Sequence, residues 1–166
     1  MGARGAAQAV IDLCRERGWT LASAESCTGG LVGAELTALT GASDVYVGGV
    51  IAYSNDVKRT QLGVAKETLQ AHGAVSAETA AEMAAGVRRA LAADVGVSDT
   101  GIAGPGGGTP EKPIGLVFLA VTSPDGDVTE RLQLEGNRQA IREQATGEAL
   151  HLLWRMLSLS ATKTGA

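Results

Sequence analysis

Hydrophobic positions follow two different periods along this 166-residue chain, and each change of period marks the end of a predicted element. Helical spacing characterises the segment that stops at Gly18, the segment 31–39, the segment after Ser76 and the segment after Asn137. Apolar, often β-branched runs separate these helices and predict five strands, at 20–24, 45–52, 94–103, 114–123 and 128–134.

The order of these elements predicts a three-layer α/β/α sandwich on a mixed, mostly parallel five-stranded sheet. Between the last two strands, Pro124-Asp125-Gly126-Asp127 is typical of a tight turn and predicts an antiparallel hairpin. The Gly48-Gly49 pair inside the second strand predicts a bulge or a close backbone approach. No linker divides the chain, so we expect one domain over 1–166, with fraying at 158–166.

Composition and charge narrow the possible partners. The chain is 45% hydrophobic and 19% charged, which is typical of a folded domain, and its net charge of −4 argues against nucleic-acid binding. No apolar run approaches the roughly 18 to 20 residues of a membrane span, and the N-terminus does not resemble an export signal. We therefore expect a cytoplasmic protein with no membrane partner, in which Cys14 and Cys27 are free thiols.

The segment 24–30, read Ala-Glu-Ser-Cys-Thr-Gly-Gly, joins the first strand to a helix. The first N–H groups of a helix have no partner inside it, so such a turn offers donors to an anion or a developing oxyanion. Ser26 and Cys27 are both candidate nucleophiles here, although a small cysteine beside a turn is often a packing residue. Glu25 could orient a substrate or a lysine, or it could cap neighbouring N–H groups.

A serine nucleophile needs a base, and the two histidines have structural interpretations, His72 at a predicted helix end and His151 within a helix. A lysine can replace histidine when its pKa is lowered, because only the neutral amine accepts the serine proton. Lys58 follows the second strand in a polar segment that begins with Tyr53. The alternative is a solvated lysine on a short helix that Ser54 or Asn55 could cap.

An anion site could form around the glycine-rich loop at 101–113. The loop lacks the Gly-Lys-Ser/Thr of a P-loop, but its glycines allow close backbone approach to a phosphate or carboxylate; an ordinary flexible loop is the alternative. Arg138 and Arg142 lie four residues apart and could complete such a site, or they could lie on a solvated helix face. No cluster has metal-ligand spacing, so we predict neither a metal nor another cofactor.

The sequence resembles the CinA C-terminal domain family through four motifs that occur in order over nearly the whole chain. These are AESCTGG at 24–30, YSNDVK at 53–58, HGAVS at 72–76, and GIAGP at 101–105 with KPIG at 112–115. The resemblance implies a nicotinamide-nucleotide amidohydrolase, in the stand-alone form of the family, that converts nicotinamide mononucleotide to nicotinic acid mononucleotide and ammonia. A non-catalytic nucleotide-binding module of a competence or damage response is the competing interpretation.

The resemblance also implies roles for individual residues. Ser26 matches the nucleophile, Lys58 the general base, and Tyr53 a hydroxyl that assists proton transfer or positions the serine. The N–H groups at 28–30 become candidates for an oxyanion hole. The expected substrate-binding residues are Glu25, Thr28, Gly29, Gly30, Gly104, Gly106 and Arg142. At 106–108 the three glycines depart from the polar residue common in the family. We also expect a homo-oligomer, a dimer or larger.

Overall fold

The structure is a computed structural model that describes residues 1–161. The strands are β1 (Leu21–Glu25), β2 (Tyr46–Ile51), β3 (Val95–Gly101), β4 (Leu116–Ser123) and β5 (Gly126–Gln133). The helices are α1 (Ala3–Arg17), α2 (Leu31–Thr37), α3 (Asn55–Leu62), α4 (Lys66–His72), α5 (Ala77–Ala90) and α6 (Arg138–Ala161), with one 3₁₀ turn at Ala42–Asp44.

The five strands form one sheet in the order β2-β1-β3-β4-β5. β1 pairs in parallel with β2 and β3, whereas β4 pairs antiparallel with both β3 and β5. Four strands therefore point in one direction, and the mixed, mostly parallel sheet and its hairpin are confirmed. The second antiparallel pairing arises because the loop at 102–115 returns the chain directly beside β3.

Helices cover both faces of the sheet and complete the three layers. α1, α2 and α6 pack together on one face, while α3, α4 and α5 pack on the other. The inner strands β1, β3 and β4 are almost wholly buried, whereas β2 and β5 alternate between half-buried and exposed positions. The alternation predicted for the last strand is confirmed, because an edge strand covered on one face needs apolar residues only there.

Capping residues end and begin the helices where the sequence predicted. α1 stops at Gly18, which takes the left-handed conformation with φ of 66°. Ser54 caps α3 by accepting a hydrogen bond from the amide of Val57, and Ser76 caps α5 by accepting one from the amide of Thr79. The cap on α3 matters for the site, since this helix carries Lys58.

Two glycines allow the close contacts that set the position of β2 and α3. The β1–β2 register skips one residue, and a Cβ at Gly49 would lie only 2.5 Å from Ser23 Oγ, so the predicted bulge and close approach are both present. On the other face, a Cβ at Gly86 would lie 1.9 Å from the carbonyl oxygen of Leu62. α5 therefore packs directly against the backbone at the end of α3.

The last helix is longer than predicted. α6 continues through residues 158–161, where the sequence predicted fraying, because Leu157 is fully buried and its carbonyl oxygen accepts a hydrogen bond from Arg17. The remainder of the predicted tail lies outside the described residues. Within residues 1–161, no helix combines the length and hydropathy needed to cross a bilayer.

Candidate active site

A cavity of about 170 Å³ opens at the carboxyl ends of the three parallel strands. Ser26 follows β1, Tyr53 and Lys58 follow β2, and Gly101 ends β3, so the topology converges three chain segments on one place. Ligand sites of α/β sheets commonly occupy this position. The lining residues are Ser26, Cys27, Tyr53, Asn55, Lys58, Ala74, Val75, Thr100, Gly101, Ala103 and Arg138.

Lys58 and Ser26 contact each other at the inner end of this cavity. The Lys58 ammonium donates from Nζ to Ser26 Oγ at 2.9 Å and to the carbonyl oxygen of Ala52 at 2.7 Å. Lys58 is 1% exposed and Ser26 is 7% exposed. The surface-lysine alternative is therefore wrong, and the carbonyl of Ala52 holds the amine toward the serine hydroxyl.

Burial lowers the pKa of Lys58, because removing the ammonium from water disfavours its charged form; nearby Asp99 and Cys27 act in the opposite direction. Among the residues that the structure describes, no carboxylate forms an ion pair with this lysine. A neutral amine at this distance accepts a proton from the serine hydroxyl. The pair has the geometry of a nucleophile and its general base.

Tyr53 reaches the cavity but lies at its outer rim. Its side chain is 63% exposed, and its hydroxyl accepts a hydrogen bond from Arg138 Nη2 at 2.9 Å. Arg138 also donates from Nη1 to the carbonyl oxygen of Gly104 at 2.9 Å. In the described part of the chain, no hydrogen bond joins Tyr53 to Ser26 or Lys58. Arg138 instead links the strand exit, the glycine-rich loop and α6.

Glu25 is turned away from the cavity and holds the start of α2. Its carboxylate accepts hydrogen bonds from the amides of Val32 and Gly33 and from the hydroxyls of Ser23 and Thr28. Of the alternatives that the sequence left open, this matches the capping of neighbouring N–H groups. A carboxylate with all these donors has no free lone pair directed at a substrate.

Asp99 supports the same turn from β3. Its Oδ1 atom accepts hydrogen bonds from the amides of Ser26 and Thr28 and from the Cys27 thiol, while Oδ2 lies 2.5 Å from Thr28 Oγ1. The Thr28 amide is therefore already bonded and does not point at an oxyanion. Of the candidate oxyanion donors at 28–30, only the glycine amides are not bonded to Asp99.

Arg142 fixes the turn from the helix side. Its Nε donates to the carbonyl oxygen of Cys27 and its Nη2 to that of Thr28, both at 3.0 Å. Arg142 does not line the cavity, whereas Arg138, one helical turn earlier, does. The two arginines thus have different roles, and Arg138 is the one that faces the cavity.

The glycine-rich loop contributes less to the cavity than the sequence suggested. Gly101 and Ala103 line it, but Gly29, Gly30, Gly104 and Gly106 do not. A Cβ at Gly101 would lie 3.2 Å from Cys27 Sγ, so this glycine allows β3 to approach the nucleophile turn. Gly106 has nothing within 4 Å of its Cβ position, which is open space.

The alternative nucleophile and bases have unsuitable surroundings. Burial raises the pKa of Cys27 well above its usual range, and the adjacent Asp99 raises it further, so the reactive thiolate is disfavoured. Cys14 is also buried and free, with a pKa raised to about 11 by burial. His72 ends α4 beside Glu78, and His151 contacts the carbonyl oxygen of Met1, so both lie outside the cavity lining.

A family model described as the CinA C-terminal domain matches residues 3–157. The chain belongs to this family. A CinA-like protein of Mycolicibacterium gilvum is 53% identical over 142 residues, which are 85% of this chain and 34% of that protein. A CinA-like protein of Kosmotoga olearia is 48% identical over 157 residues, which are 95% of this chain and 38% of that protein.

Solved structures of the CinA superfamily share the fold. The crystal structure of the competence/damage inducible protein CihA from Agrobacterium tumefaciens has a TM-score of 0.90 and 40% identity, and the match covers 94% of this chain and 95% of that chain. This chain spans little more than a third of the length of the curated CinA-like relatives that it matches.

Three polar groups that this CinA domain brings to the site were not predicted from the sequence. Asp99 and Thr100 continue a polar run that begins at Ser98 in a buried strand, and that run was the available signal. Asn55 lines the cavity beside Tyr53 and was considered only as a helix cap. Thr100 donates its hydroxyl to the carbonyl oxygen of Ala74 at 2.7 Å and thereby ties β3 to the HGAVS segment.

Proposed function

We propose that this chain is an amidohydrolase that deamidates nicotinamide mononucleotide, with Ser26 as nucleophile and Lys58 as general base. The observation that carries the proposal is the 2.9 Å contact between Lys58 Nζ and Ser26 Oγ, at the inner end of the cavity where the parallel strands end. The burial of Lys58 and the lowered pKa of its amine support the base role. The family's motifs supply the substrate class.

In the proposed reaction, the neutral Lys58 amine accepts the proton of the Ser26 hydroxyl as Oγ attacks the carboxamide carbon. The tetrahedral intermediate collapses when its C–N bond breaks, and the departing ammonia takes its third proton from the Lys58 ammonium. A water molecule then attacks the resulting ester, and Lys58 accepts a proton from that water. Oγ leaves with that proton, and nicotinic acid mononucleotide is released.

Substrate binding in this proposal uses the rim of the cavity. The substrate phosphate requires a cation, and Arg138 is the arginine among the lining residues. Asn55 and Thr100 are the neutral polar side chains available to the ribose or the carboxamide. Tyr53 orients Arg138 through the contact between its hydroxyl and Nη2. Arg142, Glu25 and Thr28 do not contact the substrate in this proposal; they hold the turn that carries Ser26.

A non-catalytic nucleotide-binding module is the competing proposal, because the related Agrobacterium tumefaciens protein is named as competence/damage inducible. Such a module would use the same cavity and Arg138 but would need no activated serine. A cysteine hydrolase is a third class, and the raised pKa of Cys27 opposes it.

The deciding experiment measures ammonia release from nicotinamide mononucleotide, nicotinamide riboside and nicotinamide adenine dinucleotide. We expect turnover of the mononucleotide, and a loss of about 10³-fold or more in Ser26→Ala. An acyl-type inhibitor should add its mass to Ser26 in the wild-type protein. Turnover that survives in Ser26→Ala would overturn the serine mechanism, and absence of turnover with all three compounds would favour the binding module.

Two matched variants serve as controls. Ser43→Ala removes an exposed hydroxyl on the 3₁₀ turn and should leave ammonia release unchanged. Cys27→Ala removes the neighbouring thiol and should retain most of the rate. Loss of activity in Cys27→Ala with retention in Ser26→Ala would make the thiol the nucleophile.

A further inference from the structure

Three side-chain oxygens stand in a row beneath the nucleophile turn. Thr28 Oγ1 lies 2.7 Å from Glu25 Oε1 and 2.5 Å from Asp99 Oδ2, and all three residues are buried. Both distances are those of O–H···O hydrogen bonds. Two carboxyl groups thus share one hydroxyl in a place that water does not reach.

The two contacts between these three oxygens require one proton more than the Thr28 hydroxyl supplies. A threonine hydroxyl carries one hydrogen, so Thr28 donates either to Glu25 or to Asp99, but not to both. If both carboxyl groups were ionised, one contact would set two lone pairs against each other without a hydrogen between them. One of the two carboxyl groups must therefore be an acid that donates to Thr28.

We propose that Asp99 is the protonated partner, so that its Oδ2–H donates to Thr28 and the Thr28 hydroxyl donates to Glu25. Glu25 already accepts two amide N–H groups and the Ser23 hydroxyl, which together favour a carboxylate. Asp99 Oδ1 takes all the other donors to that carboxyl group, so it is the carbonyl oxygen and Oδ2 is free to carry the proton.

The electrostatic surroundings of Asp99 agree with this assignment. Burial raises the pKa of Asp99; the Thr28 hydrogen bonds oppose that effect, and the negative charge of Glu25 adds to it. The groups that face Asp99 are Glu25 on β1, Cys27 in the turn and Lys58 on α3, with Arg142 on α6 behind the turn. None of them forms an ion pair with Asp99 in the part of the chain that the structure describes.

A neutral Asp99 is a positioning residue with two effects. It holds the Ser26 and Thr28 amides through Oδ1, and it places no negative charge beside Lys58. A charged Asp99 would stabilise the ammonium form of that lysine and keep it from acting as a base. The second effect rests on the proposed function, whereas the protonation itself does not.

Infrared spectroscopy tests the protonation without any turnover. At pH 7 the wild-type protein should show the C=O stretch of a neutral carboxylic acid. This band should move when aspartate is labelled with ¹³C at its side-chain carboxyl, should stay when glutamate is so labelled, and should vanish in Asp99→Asn. Absence of the band, or its movement with labelled glutamate, would overturn the proposal even if Asp99→Asn failed to fold.

The pH profile of ammonia release tests the effect on Lys58. Asparagine keeps one acceptor and one donor and is neutral like the proposed acid, so Asp99→Asn should leave the acidic limb of kcat/KM within a few tenths of a pH unit of wild type. A downward shift of about one unit would mean that an ionised Asp99 had been raising the pKa of Lys58, and would overturn the proposal. A chain without amidase activity would remove this test but not the infrared one.

Glu25→Gln is the matched change at the other end of the row. It places an amide group where two backbone N–H groups need acceptors, so it should lower the thermal midpoint at pH 7, whereas Asp99→Asn should not. Equal loss of stability in the two variants would contradict the assignment of the proton to Asp99.

Discussion

The two sides of the cavity are built differently. On the inner side, Ser26 sits on a turn that β1, β3 and α6 hold through Glu25, Asp99 and Arg142. On the outer side, Tyr53 and Arg138 are exposed and depend mainly on each other and on the carbonyl of Gly104. Buried hydrogen bonds fix the reacting groups in advance, while the rim is free to adjust to a ligand.

Because the two sides of the cavity differ in this way, we expect substitutions on them to affect different kinetic parameters. Substitutions on the inner side should change kcat, because they displace or remove the reacting groups. Substitutions on the outer side should change KM, because they alter contacts that substrate and transition state share.

The largest effect is expected from Lys58→Met, which keeps the buried stem and removes the amine. Without a base, ammonia release should fall by about 10² to 10⁴-fold. In the wild type, kcat/KM should rise with pH along a one-proton limb whose midpoint lies below the usual lysine pKa of about 10.4, because burial lowers the pKa and the neutral amine is the active form. The variant should lack this limb.

Lys66→Met is the control for this substitution, since Lys66 is an exposed lysine on the neighbouring helix α4. Its activity and pH profile should match wild type. A limb that persisted in Lys58→Met would assign the titration to another group.

A smaller loss is expected from Arg142→Met, which tests whether the turn needs its support from α6. The change leaves the carbonyl oxygens of Cys27 and Thr28 without their guanidinium donor, and displacement of Ser26 should slow turnover by about 10 to 100-fold with little change in KM. Steady-state kinetics beside Arg155→Met, an arginine of the same helix that pairs with Glu130, provides the comparison. A change confined to KM would show that Arg142 binds substrate.

The smallest effect is expected from Tyr53→Phe, which removes the hydroxyl that Arg138 contacts. We expect KM to rise by less than about tenfold and kcat to stay close to wild type, because the lost contact lies at the exposed rim. If turnover at saturating substrate instead slowed by about a hundredfold or more, the role in proton transfer that the family resemblance implies would be restored. The distinction between the two sides would then break down.

Local sequence signals predicted the fold well because most of them act within a few residues. Gly18, Ser54 and Ser76 end or begin helices through their own backbone or side chain, so the sequence around them suffices. The strands were also recognisable from their apolar runs. The support that Arg17 gives to the carbonyl oxygen of Leu157 near the end of α6 comes from a distant helix, so the neighbouring sequence does not indicate it.

Site residues could be proposed from the sequence where a single segment suggests their role. They were missed where the role depends on a contact between two distant segments. Ser26 lies in a strand-to-helix turn and Lys58 in a short helix capped by Ser54, and local residues indicate both elements. Choosing between Arg138 and Arg142 required the position of the nucleophile turn along α6, since residues four apart share a helix face but differ by about 6 Å along the axis. The role of Asp99 depends on its contacts with the turn after β1, and the sequence around Asp99 does not show that β1 and β3 are neighbours in the sheet.

Ser26 and Lys58 follow strands that differ in how firmly the sheet holds them. Ser26 follows β1, which has a neighbour on each side, while Lys58 follows β2, an edge strand that pairs only with β1 and exposes Val47 and Ile51. Opening this edge breaks one ladder and moves Ala52 and α3 away, yet leaves the inner strands paired. Local opening of this kind costs less free energy than unfolding the domain. On warming, the catalytic pair should therefore separate while the core remains intact, and hydrogen exchange should be faster in β2 than in β3.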